Sequence, residues 1–172
     1  DDAIVHVVAR RQPAASDLRL IMGVSKIVTD LERAGDEAEK IARMARSIYS
    51  RGALAIPRMV DVRQTSNRAV AMLRRVLDTM ARLDADEADR LITEDRLIDN
   101  EFRAIVRQLI TYMMEDPRTI STALDIVWVA KAIERVGDHC KNIAEHVIYI
   151  VRGTDVRHTA KSATLTSATG GA

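Results

Sequence analysis

Two copies of one acidic pentad are the residues of this sequence best suited to chemistry. The first copy is Glu32-Arg33-Ala34-Gly35-Asp36, and the second, 102 residues further on, is Glu134-Arg135-Val136-Gly137-Asp138. In each copy the two acids stand four residues apart, which places both carboxylates on one face of a helix, one turn from each other. Two carboxylates placed in this way can share a ligand, and the repetition predicts an internal duplication.

A third pair of acids, Asp95 and Asp99, has the same spacing. It interrupts an apolar helical stripe that runs from about residue 88 to 109. If this stripe faces the helix of the second pentad, Asp95 and Asp99 converge with Glu134 and Asp138. Four carboxylates in a partly buried place repel one another strongly unless a cation neutralises them.

Six carboxylates are therefore candidate metal ligands: Glu32, Asp36, Asp95, Asp99, Glu134 and Asp138. Carboxylate oxygens, without Cys and with no His at ligand spacing, favour a hard ion such as Mg²⁺, Mn²⁺, Ca²⁺ or iron over structural zinc. In an alternative interpretation, Arg33, Arg135 and Lys40 neutralise the acids as surface ion pairs, each worth about 0.2–0.5 kcal/mol. Repetition of the pentad and the additional acid pair favour the cation site. The two arginines are also candidate partner-binding residues.

Each pentad contains a glycine, Gly35 or Gly137, in mid-helix. Glycine there costs about 0.5–1 kcal/mol relative to alanine, so some contact should offset it. Close approach of a metal or a partner protein would do so, and so would a packing notch for a neighbouring helix. The sequence leaves both explanations open.

Other residue types that often form sites carry weaker signals. His139 points about 100° around the helix from Asp138, which predicts a surface histidine rather than a ligand. The remaining histidines, His6, His146 and His158, show no partner pattern. Cys140 is expected to be a small core residue. A nucleophile elbow, a P-loop and the Glu-x-x-His motif of di-iron bundles are all absent from the sequence, which favours a protein that is not an enzyme.

The composition predicts a helical globular protein. Hydrophobic residues make up 47% of the 172 residues and aromatics only 3%, and the common residue types lose little rotamer freedom in a helix. The formal net charge is +1 with the charges spread along the chain, so a nucleic-acid partner is not expected. A single cysteine, no long apolar run and no signal-peptide order together favour a cytoplasmic protein.

Breaks in the helical pattern divide the chain at Pro13, Gly52, Pro117 and Gly153. The predicted helices are 14–50, 58–83, 86–115 and 118–152. We expect an all-α fold with two tandem repeats of a three-helix bundle, the first incomplete. Its domains are 1–52, the C-terminal part of the first bundle, 53–153, the second bundle, and 154–172, a disordered tail. Residues 4–11 are predicted to be the end of a further helix, so by symmetry with the second copy most of two helices are expected to precede Asp1.

The sequence resembles the PhoU family, the phosphate-uptake regulators of bacteria. The likeness rests on the run Arg10-Arg11-Gln12-Pro13-Ala14-Ala15-Ser16-Asp17-Leu18-Arg19, on Asp30-Leu31 before the first pentad, and on His139 and Asn142-Ile143-Ala144-Glu145 after the second. It extends over about residues 4–158. The resemblance implies two tandem three-helix bundles whose acid-x-x-x-Asp motifs bind metal ions, through Asp95, Asp99, Glu134 and Asp138 in the second bundle and Glu32 and Asp36 in the first.

The resemblance also implies a function. It implies a metal-binding adaptor without catalysis of its own, which couples a phosphate ABC transporter, through its ATPase, to a membrane sensor histidine kinase. Such a regulator keeps the phosphate-starvation response off when phosphate is plentiful, and it is expected to be a cytoplasmic homodimer at the inner face of the membrane. Two alternatives stay open: a metal-dependent phosphohydrolase, in which carboxylate-bound cations activate water, and a purely structural helical scaffold.

Overall fold

The computed structural model describes residues 14–50 and 60–154, and all regular secondary structure in these ranges is helical. The helices are α1 (Ala15–Ser50), α2 (Val60–Arg82), α3 (Ala85–Glu115) and α4 (Ile120–Arg152), with a short 3₁₀ helix (Pro117–Thr119) before α4. This confirms the predicted all-α class and, within a few residues, the four predicted helices. The predictions for Pro13, Gly52 and the tail from residue 155 onward lie outside the described residues.

Polar caps and one glycine set the helix ends. Asp84 begins α3 by accepting a hydrogen bond from the Glu87 backbone N–H at 3.0 Å. Asp116 accepts from the Arg118 N–H at 3.0 Å and so starts the 3₁₀ helix that leads into α4. Gly153 ends α4 with a left-handed φ of 71°, which an L side chain would disfavour. The connections on both sides of α3 are therefore short, as antiparallel neighbours require.

Helix α4 lies at the centre of the fold. Helices α2 and α3 pack against each other and against α4, which gives a three-helix bundle, while α1 packs along another side of α4. Helix α1 runs antiparallel to α4, since Gly23 lies beside Ile150 and Glu37 beside Arg135. Among the described elements, α1 packs against α4 alone. The assignment of residues 1–52 and 53–153 to two separate bundles stays a prediction.

The core is apolar and follows this arrangement. Its fully buried side chains come from every helix, including Ile27, Met72, Leu91, Ile98 and Ile143. Cys140 is also completely buried, as predicted, and burial raises the pKa of its thiol to about 12. None of the helices in the described ranges contains an apolar segment long enough to cross a membrane.

Candidate metal centre

Three carboxylates converge where α3 meets α4. One oxygen from each of Asp95, Asp99 and Asp138 lies within 4.8 Å of the other two. Helix α3 contributes the two acids that interrupt its apolar stripe, and α4 contributes the last acid of the second pentad. Oxygens that share one hard cation lie about 2.0–2.6 Å from the ion and therefore at most about 4–5 Å from one another. The spacing within 4.8 Å is compatible with a single bound ion.

Asp95 is the most buried member of this cluster, with a residue exposure of only 1%. Its Oδ2 lies 3.4 Å from Lys141 Nζ, whereas its Oδ1 is buried with no hydrogen-bond partner. The pKa of Asp95 is raised to about 6, mainly by burial and also by the nearby Asp99 and Asp138 charges, against the opposing effect of Lys141. An unpartnered, desolvated carboxylate oxygen is costly, so a cation or a proton bound to it would be favourable.

Asp138 has the same electrostatic character. It is half-buried, and burial together with the Asp99 charge raises the pKa of its carboxyl group. The charges of Lys131 and Lys141 work in the opposite direction. The cluster is thus an anionic site whose charge the surrounding protein only partly offsets.

Gly137 allows the two helices to come this close. A Cβ at this position would lie 3.0 Å from Ile98 Cδ1 and 3.1 Å from Asp95 Oδ1. The absence of a side chain at Gly137 therefore leaves room for α3, and the Asp95 carboxylate of the cluster occupies part of this space. Gly35, its counterpart in α1, has open space instead, with no atom within 4 Å of the same position.

Glu134, which we predicted as a fourth ligand of this cluster, lies outside the group of three. Its Oε1 is 2.7 Å from Lys131 Nζ, and this ammonium also lies 5.3 Å from the centroid of the Phe102 ring. Glu134 is therefore ion-paired, but with Lys131 rather than with Arg135. Arg135 pairs with Glu37 of α1, at 3.2 Å.

The acids of the first pentad occupy a different environment. Glu32 and Asp36 are exposed on α1, as is Arg33 between them. This face of α1 points away from α4, and none of the other described helices packs on α1. The role of Glu32 and Asp36 as ligands stays a prediction.

A second polar cluster, which was not predicted from the sequence, lies between α1 and α4. The predictions for His139 and His146 were wrong: they are only 6% and 5% exposed, and both contact the buried Asp30. His139 Nδ1 and Asn142 Nδ2 lie 2.9 and 3.1 Å from Asp30 Oδ1, and His146 Nε2 lies 3.4 Å from Oδ2. Burial alone would raise the pKa of Asp30, but these contacts outweigh it and leave that pKa lowered.

A periodic signal for this cluster was present in both helices. His139, Asn142 and His146 follow the 3–4 spacing of a single helical face, as do Asp30, Ala34 and the buried Glu37 in α1. Glu37 accepts from Lys40 at 2.8 Å in addition to its contact with Arg135. Each acid of the α1 face thus finds a basic or hydrogen-bonding partner.

Comparison with known proteins assigns the family. Residues 1–45 and 62–147 match the PhoU domain. The chain is 52% identical over 159 residues to the phosphate-specific transport system accessory protein PhoU homolog of Pseudomonas aeruginosa, and 48% identical over 158 residues to PhoU of Escherichia coli. The chain belongs to the PhoU family. It spans 65% of the length of each of these two PhoU proteins, and 92% of the chain is covered in both comparisons.

Solved PhoU structures have the same fold. The crystal structure of PhoU from Pseudomonas aeruginosa matches 90% of this chain and 73% of its own length, with a TM-score of 0.85 and 50% identity. PhoU from Streptococcus pneumoniae, described as a phosphate transport system regulatory protein, has a TM-score of 0.80 over 90% of this chain at 24% identity, a likeness of fold alone. The helical arrangement described above is therefore that of PhoU proteins.

Proposed function

We propose that this chain is a metal-binding accessory protein of a phosphate transport system, and that it regulates by binding partners rather than by catalysis. Its relatives are named as accessory proteins of phosphate-specific transport systems. The metal-binding part of the proposal rests on one carboxylate: Asp95 has a buried Oδ1 without a hydrogen-bond partner, and one of its oxygens lies within 4.8 Å of oxygens of Asp99 and Asp138. The all-oxygen donor set suits Mg²⁺, Mn²⁺, Ca²⁺ or iron.

Elemental analysis tests the metal site directly. The purified chain is stripped with a chelator, exposed to Mn²⁺, desalted and analysed for bound metal. We expect retained Mn²⁺ in the chain, and its loss in Asp138→Asn. Asp78→Asn is the matched control, because Asp78 is an exposed acid paired with Arg82 on α2. Equal metal content in all three proteins, or none in the chain itself, overturns the site.

The partners we propose are the ATPase of a phosphate ABC transporter and a sensor histidine kinase. By holding the two together at the inner face of the membrane, the chain, as a cytoplasmic homodimer, keeps the phosphate-starvation response off and adjusts phosphate uptake. Arg33 is an exposed basic residue beside the exposed Glu32 and Asp36, and Arg135 is half-exposed at the edge of the α1–α4 contact. These features suit the two arginines to contacts with acidic partner surfaces.

A co-purification experiment tests this adaptor role. The chain is incubated with the transporter ATPase and with the cytoplasmic part of the kinase, with phosphate and Mn²⁺ each present or absent. We expect capture of both partners and a loss of capture in Arg33→Glu. Arg43→Glu is the control, since Arg43 is an exposed arginine of the same helix. Failure to capture either partner under all conditions overturns the adaptor role. Phosphatase activity of the chain that disappears in Asp138→Asn overturns the proposal that the chain acts without catalysis.

A further inference from the structure

We infer that Lys141 is a built-in counter-ion of the aspartate cluster, which stabilises the metal-free protein and lowers the affinity of the site for a divalent cation. This inference rests on the metal site proposed above.

The position of Lys141 supports this role. Its Nζ lies 3.4 Å from Asp95 Oδ2, and of the ion pairs in the described ranges this is the one that reaches the cluster. The lysine stands three residues after Asp138 on α4, so its stem leaves the helix on the side of the cluster. Lys131, the other lysine near Asp138, instead pairs with Glu134. Lys141 is therefore the lysine in ion-pair contact with the cluster, while the charge of Lys131 also acts on Asp138.

The burial of the two partners is unequal. The side chain of Asp95 is 2% exposed, whereas that of Lys141 is 37% exposed. The carboxylate is thus fixed inside the bundle, while the ammonium reaches it from solvent on a flexible four-carbon stem. A lysine placed in this way can swing out into water when another cation enters, at little cost in packing.

The charges determine the sign of the effect. Without metal, the ammonium partly offsets the repulsion among three carboxylates and so favours the folded state. A divalent ion and the ammonium repel each other, and they compete for the same Asp95 carboxylate. Asp95 Oδ1 has no hydrogen-bond partner although Lys141 lies near Oδ2, so the lysine offsets only part of the negative charge of the cluster. Removal of the lysine charge should destabilise the empty site and strengthen the filled one.

Isothermal titration of the metal-stripped chain with MnCl₂ at pH 7.5 tests this inference. We expect Lys141→Gln and Lys141→Met to bind Mn²⁺ about tenfold more tightly than the unsubstituted chain. Lys141→Arg keeps the charge and should bind within about threefold of the unsubstituted chain. Lys40→Gln is the matched control: Lys40 is 43% exposed and pairs with Glu37, outside the cluster, so its loss should leave Mn²⁺ affinity unchanged.

Urea unfolding gives a second readout that a simple packing role would not reproduce. Both neutral variants should be less stable than the unsubstituted chain in chelator and should gain more stability from saturating Mn²⁺. Equal or weaker Mn²⁺ binding by folded Lys141→Gln and Lys141→Met overturns the counter-ion role while leaving the metal site intact. Absence of Mn²⁺ binding by every protein, the unsubstituted chain included, overturns the metal site itself and the lysine role with it.

Discussion

Asp138 and His139 are consecutive residues of α4, yet they face two different helices. Asp138 lies with Asp95 and Asp99 of α3, whereas His139 Nδ1 donates to Asp30 Oδ1 of α1 at 2.9 Å. Successive helical residues point about 100° apart, so one turn of α4 can serve both neighbours. The aspartate cluster and the polar cluster between α1 and α4 are therefore built on the same short stretch of α4.

The Asp95→Asn substitution should abolish metal binding and yet stabilise the metal-free protein. The folded-state pKa of Asp95, about 6, is above the ordinary value of 3.8, so its contribution to stability is present below about pH 4 and is lost as the pH rises through 6. At pH 7 the variant should be more stable by about 2–3 kcal/mol, the size of that shift. At pH 4 the two proteins should unfold alike. Urea unfolding in chelator across this pH range measures the difference.

The same unfolding experiment with saturating Mn²⁺ provides the control for Asp95→Asn. Metal should stabilise the unsubstituted chain and leave Asp95→Asn unchanged, because only the former keeps the three-aspartate site. If Asp95→Asn is less stable than the unsubstituted chain at pH 7 in chelator, the Asp95 carboxylate stabilises the metal-free fold, which contradicts the prediction.

The Asp30→Ala substitution should destabilise the protein by about 2–4 kcal/mol at pH 7, because it leaves the buried His139 and His146 and the half-buried Asn142 without their shared acceptor. The pKa of Asp30 is lowered, so its contribution is present above the ordinary value of 3.8 and is lost as the pH falls through the lowered value. Urea unfolding at pH 7 and pH 5 should give similar losses. Glu39→Ala, which breaks an exposed ion pair of the same helix, should lower the free energy of unfolding by less than about 0.5 kcal/mol. Equal losses in the two variants would contradict a stabilising role of the contacts made by Asp30.

The helices and the convergence of three acids could be predicted from sequence because each depends on local periodicity. The stripe interrupted by Asp95 and Asp99 can meet α4 in few ways, and the 3.6-residue repeat places Asp138 on the facing side. Gly137 indicated a close contact at this position in the sequence, and the structure shows that Ile98 and Asp95 are the residues that pack against it.

The polar cluster between α1 and α4 could not be predicted in the same way, because it depends on the relative position of residues more than 100 positions apart in the sequence. Asp30 is separated from His139 by 109 residues, and both are polar side chains that usually lie at the surface. The ion pair between Lys131 and Glu134 could not be predicted for a different reason. Glu134 has basic residues on both sides within one helical turn, and rotamer and burial, which the sequence does not specify, determine which of them it contacts.

Replacement of Glu134 and of Asp138 by their amides should separate a site ligand from a neighbouring ion pair. Asp138→Asn removes an oxygen donor of the cluster and should weaken Mn²⁺ binding by more than about tenfold. Glu134→Gln breaks the pair with Lys131 and should change Mn²⁺ affinity by less than about threefold. Titration calorimetry of the metal-stripped proteins compares them. A loss in Glu134→Gln as large as that in Asp138→Asn would identify Glu134 as the fourth ligand that the sequence predicts.

The two pentad glycines offer a matched pair of substitutions with opposite expected signs. Gly35→Ala adds a methyl group in open space and should stabilise the protein by about 0.5–1 kcal/mol, the ordinary gain of alanine within a helix. Gly137→Ala places the same methyl group 3.0 Å from Ile98 Cδ1 and 3.1 Å from Asp95 Oδ1, both deep in the bundle, and should destabilise it by about 1–2 kcal/mol. Because Asp95 must then move, Mn²⁺ affinity should also fall in Gly137→Ala and stay constant in Gly35→Ala. Urea unfolding and calorimetry measure both effects, and a Gly137→Ala protein that gains stability and keeps its Mn²⁺ affinity would mean that the close approach of α3 does not depend on this glycine.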